Sequence, residues 1–547
     1  MHVQTLTAPG PPGAHHLRSI LMTPRKAWAI YIALLFGTFV TIEASAFQIP
    51  ALPSVTRHFG IPVSLSSLML MLYFLAVAVF APIMGRVGDV YGRKRILLFG
   101  LVVFALSEFA AALAPNFLSF LVARFLQGFA VACILPSVFV YATHLFDDKQ
   151  RGLALGILSF TMTLGGATGG ALGGLLIDRF GWESIYWISG VLALGGLLPV
   201  YLIVPEIRGE RINAAFDYKG ALLLLITFGA LLSLPTWASN IGTHSPLFWA
   251  ILVCGLITLL VLIQHSRRTA APVLDTKILS TKAFSLPLAM FWLHVLFTSS
   301  VLYALAFFMN NRPGGNASQF GLMTLFMFGS AMLSSPIAGR LCDRFEARRV
   351  SLFALIGTLG GSFLFLTIRI DSSLAHIAAI CSLLGIMLGA NTPASMKMAF
   401  GAIPPERIGV GTGMFSMFRD MASPTGSSLA LAVFGTALAD KASSALSRLI
   451  DGHALEADTL TALVRAATNR GPLPEALATQ LQAAGIKTSE LITAASAEAL
   501  QGALTRVGYL ICVPILIALV LATQLTRTRQ ANAASALSPR VSAIKQQ

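Results

Sequence analysis

Two ionisable residues stand where charge is expensive. Glu43 interrupts the apolar run 28–50 and Arg124 the run 117–145; a charge inside such a run is by default a functional hypothesis. A carboxyl and a guanidinium sharing one dry cavity form a proton switch. Burial and the neighbouring opposite charge pull the carboxyl's protonation in opposite senses, and a bound molecule tips the balance. The same two side chains would equally serve as a permanent ion pair holding two helices together. At 1.5 Å per residue Glu43 lies about 22 Å from the inner end of its run, and Arg124 about 12 Å from the outer end of its own, so both fall in the outer half. His294, near the middle of the run 283–308, is either a group that titrates near physiological pH or a hydrogen-bonded core residue. Trp292, Phe297 and Tyr303 read as packing aromatics, with a substrate pocket as the alternative.

Apolar spans must hold these groups, and the composition supplies them. Of 547 residues 56% are hydrophobic and only 11% charged, with a mean hydropathy of +0.77, against roughly 25% charged in soluble domains. The lipid bilayer is therefore the solvent. Runs long enough to cross about 30 Å of hydrocarbon fall at 28–50, 65–86, 95–114, 117–145, 150–177, 183–204, 217–238, 246–265, 283–308, 318–339, 350–369, 374–396, 409–437 and 503–525. This describes an all-α polytopic membrane protein. Its net charge of +15 sits in short inter-span loops rather than in a dense solvated patch, so nucleic acid is not a partner. Cys133, Cys254, Cys342, Cys381 and Cys512 show no C-x-x-C spacing, which indicates no metal site, disulfide framework or redox role. No G-x-x-x-x-G-K-[ST] phosphate loop is present to serve an ATP-driven pump.

Basic residues orient the spans. Arg86 to Arg95, Lys149 and Arg151, Arg208 to Lys219, Arg267 to Lys282, Arg340 to Arg349, Lys397 and Arg407 fall on one side of the alternation with both termini, and positive loops stay cytoplasmic. The first span has a basic lead and Ala44-Ser45-Ala46 as a signal-type cleavage site, but it stays apolar through Pro53, longer than a signal core, and reads as an uncleaved span. Residues 438–502 are too polar to span, carry helical apolar spacing and fall on the outer side. They read as a helical hairpin shielding the outer face, with partner docking as the alternative.

An internal echo divides the chain. PIMGRVGDVYGRKR at 82–95 returns as PIAGRLCDRFEARR at 336–349, eight spans later rather than six. Two six-span halves are therefore separated by an inserted two-span hairpin. The organisation is an N-terminal tail (1–27), a first bundle (28–204), hairpin and linkers (205–282), a second bundle (283–437), the outer segment (438–502), a last span (503–525) and a tail (526–547). Small residues in the echo allow close helix approach, and Asp89 can cap a neighbouring helix or pair with Arg93.

GRVGDVYGRKR resembles the loop signature G-x-L-x-D-r-x-G-r-[RK] of the major facilitator superfamily, with Val87 for Leu and Val90 for Arg. The resemblance runs from residue 28 to 525. It implies a major facilitator fold and a cytoplasmic latch built by Asp89 and Arg93, with Gly85 and Gly92 as packing positions and Gly339, Asp343 and Arg344 as the second copy. Arg124-Phe125-Leu126-Gln127-Gly128 is similar to that family's fourth-span R-x-x-Q-G, which brings in Gln127 and associates Arg124 with proton transfer. GGATGGALGG at 165–174 resembles the antiporter motif G-x-x-x-G-P-x-x-G-G, with Gly165, Gly169, Gly173 and Gly174 in register and Gly170 in place of Pro; a plain packing helix would look alike. Glu43 ahead of Ala51-Leu52-Pro53 is similar to the first-span acid of the fourteen-span drug:proton antiporter branch, and Arg419 to that branch's thirteenth-span Arg, which Asp420 would neutralise. Glu108 reads as structural, since third spans of this family usually lie outside the cavity.

The expectation is a non-enzymatic exporter in the cytoplasmic (inner) membrane, exchanging protons for a small amphipathic molecule by alternating access. No cofactor is called for beyond the proton gradient as energy source. If the envelope has an outer membrane, a periplasmic adaptor and outer-membrane channel are candidate partners. Rival readings are a dedicated exporter of one metabolite, siderophore or lipid, and a transport-dead sensor or assembly protein using 438–502.

Overall fold

The computed structural model describes residues 24–146, 148–207, 217–269, 272–403, 408–449, 457–468 and 488–544, which are helical with short turns and no strands. The helices are α1 (Pro24–His58), α2 (Ser67–Tyr91), α3 (Arg93–Ala112), α4 (Phe117–His144), α5 (Asp148–Phe180), α6 (Glu183–Ile203), α7 (Tyr218–Ile241), α8 (Pro246–Arg268), α9 (Thr276–Ser280), α10 (Lys282–Asn311), α11 (Ala317–Arg344), α12 (Ala347–Phe365), α13 (Leu374–Phe400), α14 (Ile408–Leu449), α15 (Ala457–Ala467) and α16 (Thr488–Ile544). Fourteen of these, all but α9 and α15, are long and apolar enough to cross a bilayer. Backbone polarity explains the choice: only helices pair every N–H and C=O within a single segment.

The two halves repeat one packing plan. Helix α2 packs on α4, α3 on α6 and α1 on α5 in the first half; α11 packs on α13, α12 on α16 and α10 on α14 in the second. The sequence echo lies at equivalent turns, α2 to α3 and α11 to α12. Between the halves α5 runs along α11 and α14 along α2, giving two crosswise seams. The inserted hairpin lies over one of them, because α7 packs on both α2 and α14 while α8 packs chiefly on α7. Its two legs are stapled where Asp217 caps α7 through the Gly220 N–H and meets His265 Nε2 of α8 at 2.6 Å.

Small residues set the closest approaches. In the second half Ser330 and Ser334 of α11 donate to the Ser382 and Ile386 carbonyls of α13 at 2.9 and 3.1 Å. A Cβ on Gly385 would overlap the Met327 carbonyl. The helices meet backbone to backbone, as lipid-embedded interfaces require when little hydrophobic driving force remains.

The outer segment departs from the sequence reading. Helix α14 does not stop near 437 but continues to Leu449, and the last helix begins at Thr488 rather than near 503. Leu438, Ala442, Ala445 and Leu446 are buried together with Ala495, Ala499 and Leu500, so the two spans extend outward as a packed pair. The amphipathic α15 lies against both. Apolar spacing was read correctly as helix, but its continuity with the spans was masked by polar residues on the faces turned to solvent. Residues 450–456 and 469–487 lie outside the described set.

Valine at Gly385 would force α11 and α13 apart within one half, an overpacking cost of roughly 1–3 kcal/mol. Gly385→Val is expected to lower the thermal midpoint of the detergent-solubilised protein; an unchanged melting curve would show that this approach is dispensable.

Candidate functional site

Arg124 is fully buried, about 10 Å along α4 from its first residue. A guanidinium there must find partners within the protein or return to water. It donates to Gln127 Oε1 one turn further along α4, to Gln48 Oε1 of α1 and to the Met69 carbonyl of α2, and its face lies 4.7 Å from the Tyr73 ring centroid. Both glutamines are fixed in turn, Gln127 by donating to the Ser107 carbonyl of α3 and Gln48 by donating to the Ala44 carbonyl. Gly128 makes this possible: its missing side chain lets the α4 backbone reach the Tyr73 carbonyl of α2. Four helices of the first half thus converge on one cation held by neutral oxygens and a ring.

The cluster reaches the other half. Helix α14 of that half packs on α2, the helix that supplies the Met69 carbonyl and the Tyr73 ring. Arg419 pairs with Asp420 at 2.9 Å and both remain partly exposed. The second half thus carries a neutralised pair, whereas the hydrogen bonds of Arg124 go to neutral oxygens.

Glu43 and Arg124 do not form the ion pair that their depths suggested. Glu43 is 4% exposed and has no hydrogen-bond or ion-pair partner among the described residues. The carboxyl that acts on Arg124 is Glu108 of α3, with Tyr186 of α6 beside it. Depth along a helix was legible in the sequence, but the rotational facing of α1 relative to α4 was not. Sequence reasoning also missed Gln48, although a buried amide five residues beyond Glu43 was a signal.

His294 belongs to a separate network. Its Nδ1 accepts from the Asn391 amide of α13 at 2.9 Å, and its Nε2 lies 3.3 Å from the Thr358 hydroxyl of α12, which itself donates to the Ala354 carbonyl. Asn391 Oδ1 accepts from Ser351 and Ser395. A histidine with every polar atom engaged, fully buried among three helices of one half, is placed to hold α10, α12 and α13 together.

The glycine row of α5 has two faces. Gly165 and Gly169 lie against the backbone of Glu43, and Gly173 against Phe47 and Pro50, all on α1. Gly170 and Gly174 face α11, where a Cβ would overlap Thr324 and the Ala317 carbonyl. The α11 face of this row is where the halves touch. At its end Asp178 accepts from the backbone N–H groups of Ala317 (3.0 Å) and Ser318 (2.7 Å) and from the Ser318 hydroxyl, capping α11 from the opposite half. Arg57 of α1 donates to Asn311 of α10 at the same end. Asp178 looked like an ordinary surface acid in the sequence, because what it caps lies 139 residues away.

At the opposite end, Gly92 has φ +110° and a side chain there would meet Glu206, whose carboxylate accepts from the Lys94 N–H at 2.9 Å and so caps α3. Arg93 is buried, and its side chain lies across Gly88. Gly85 packs on Pro136, whereas Gly339 has open space around it and packs on nothing, and Arg344 is exposed at the end of α11. The side chains of Asp89 and Asp343 lie outside the described set. Glu206, which caps α3, is a residue that sequence analysis did not single out.

Comparisons with known proteins agree with this architecture. The family model of the Major Facilitator Superfamily matches residues 34–426. The multidrug resistance protein Stp of Mycobacterium tuberculosis is 28% identical over 411 residues, covering 75% of each chain. The tetracenomycin C resistance and export protein of Streptomyces glaucescens is 24% identical over 445 residues, covering 80% of this chain and 81% of that one. Among solved structures, a bacterial homolog of the human lysosomal transporter Spinster, inward-facing and unoccupied, aligns with a TM-score of 0.62 at 15% identity over 92% of this chain and 98% of that one. The POT family transporter PepTSo gives 0.59 at 14% identity, over 93% and 99%. With a family match across most of its length and two repeated helical bundles facing each other, this chain belongs to the major facilitator superfamily of membrane transporters.

Proposed function

We propose that the protein is a proton-coupled exporter of small amphipathic compounds, a member of the fourteen-span drug:proton antiporter branch, working in the cytoplasmic membrane with both termini inside. The observation that carries this reading is Arg124. A cation sealed inside the first half with only neutral oxygens bonded to it is poised to respond to a change of charge around it. The α5 glycine row, the inserted hairpin, and the resistance and export names of two relatives support the same reading.

Alternating access then uses the two ends differently. The Asp178 cap and the Arg57–Asn311 contact close the outer end, and the α5–α11 glycine seam lets the halves meet there. The turns around Arg93 and Glu206, with Asp89 in its latch role, work at the cytoplasmic end. Exporting a molecule requires the outer closure to break and re-form in each cycle. Glu43, buried and without a partner among the described residues, serves the substrate as the acid that a cationic compound meets.

In inverted vesicles with a preformed proton gradient, tetraphenylphosphonium and ethidium should release protons through the wild type, and Arg124→Met should abolish that release. Glu43→Gln should weaken transport of these cations while sparing neutral lipophilic compounds. Failure of every lipophilic compound to move protons through the wild type would refute the antiport reading.

The closure has its own test. Asp178→Ala removes three hydrogen bonds across the halves, so a cysteine at Thr324 in an otherwise cysteine-free protein should react faster with a water-soluble maleimide. An unchanged rate would mean that the cap does not hold the outer end shut.

A further inference from the structure

The first half contains a second buried acid that the reading above leaves unused. Glu108 is 1% exposed, and its Oε1 has no hydrogen-bond partner. It sits four residues before the end of α3, about 6 Å from the outer helix end. The groups facing it from its packed neighbours are Arg124 from α4, Tyr186 from α6 and Tyr73 from α2. The Tyr186 hydroxyl is likewise without a partner. An aromatic cover of Phe59, Phe120 and Trp182 packs around Tyr186 on the outer side, with ring centroids 5.6–5.9 Å apart.

A purely structural carboxylate buried in a membrane would have its oxygens satisfied, since an orphaned buried acceptor has lost its water without gaining a partner. Glu108 does not. Nor is it needed to hold Arg124 in place, because Gln48, Gln127 and the Met69 carbonyl already do so. What Glu108 retains is an open oxygen and a place beside the Arg124 cluster, since Gln127, which accepts from Arg124, donates to the carbonyl of the adjacent Ser107. We propose that Glu108 is the residue that carries the transported proton. In the step, a proton arriving from the outer side binds the carboxylate, forming neutral –COOH and removing the negative charge beside Arg124. In the inward-facing state the same proton leaves to the cytoplasmic side, and the carboxylate is restored. No other bond changes. Arg124 feels the charge difference, and α2, which helps hold Arg124, packs on α14 of the other half, so the seam senses whether Glu108 holds its proton.

This rests on the proton-coupled reading, and the test separates the two. Proteoliposomes containing wild type, Glu108→Gln, Glu108→Asp and Glu43→Gln are compared with tetraphenylphosphonium and ethidium as probes. Proton release driven by the compound and compound counterflow, which needs no net proton movement, are both measured. Glu108→Gln should lose compound-driven proton release for both probes, keep counterflow, and show counterflow that no longer varies with pH; Glu108→Asp should restore release, and Glu43→Gln should keep its ratio of protons released to compound moved. Wild-type proton release from Glu108→Gln would overturn the assignment. Equal loss of release and counterflow in both Glu108 variants would instead show a structural residue and also overturn it. If the wild type itself moves compound without protons, the functional reading falls and the assignment falls with it.

Discussion

A guanidinium about 10 Å inside a membrane span has no water to fall back on, and much of the first half is arranged to answer that demand. Gln48, Gln127, the Met69 carbonyl and the Tyr73 ring surround Arg124. Gly128 is small because α4 must press against α2 for those groups to reach. The oxygens bonded to it are neutral, which leaves its positive charge free to respond to the charge state of its surroundings. Replacing the glutamines with acids would fix the charge locally and remove its influence on the cleft.

The seams convert that local charge into a question of geometry. The α5 glycines allow α5 to rest on α1 through one face and on α11 through the other, so movement of α5 against α11 need not disturb packing within its own half. Asp178 adds direction, because an acid on the last turn of one half caps the first turn of a helix in the other. Within the second half, the His294–Asn391–Ser351 network and the serine contacts between α11 and α13 bind that bundle as a unit. Two firm bundles with a separable joint are what a rocking mechanism requires.

Much of this fold was legible in the sequence because lipid simplifies the code. Apolar run length reports spans, and the echo of 82–95 at 336–349, displaced by eight spans, reported both the duplication and the inserted hairpin. The site was legible only in part. Arg124 and Gln127 could be singled out because buried polarity is conspicuous in an apolar run. Which acid faced Arg124 could not, since the choice between Glu43 and Glu108 depends on the rotation of whole helices about their axes, and apolar faces on both sides blur that phase. Caps such as Asp178 and Glu206 were hidden for a different reason: each acts on a helix start more than a hundred residues away in the chain.

The central claim is that binding a substrate and binding a proton are linked through the charge at Arg124. Calorimetric titration of the purified wild type with tetraphenylphosphonium, repeated in buffers of widely different ionisation enthalpy, measures that linkage without assuming a transport direction. The account predicts a binding enthalpy that changes with the buffer because protons leave the protein as the compound binds. Binding with the same enthalpy in every buffer would contradict it.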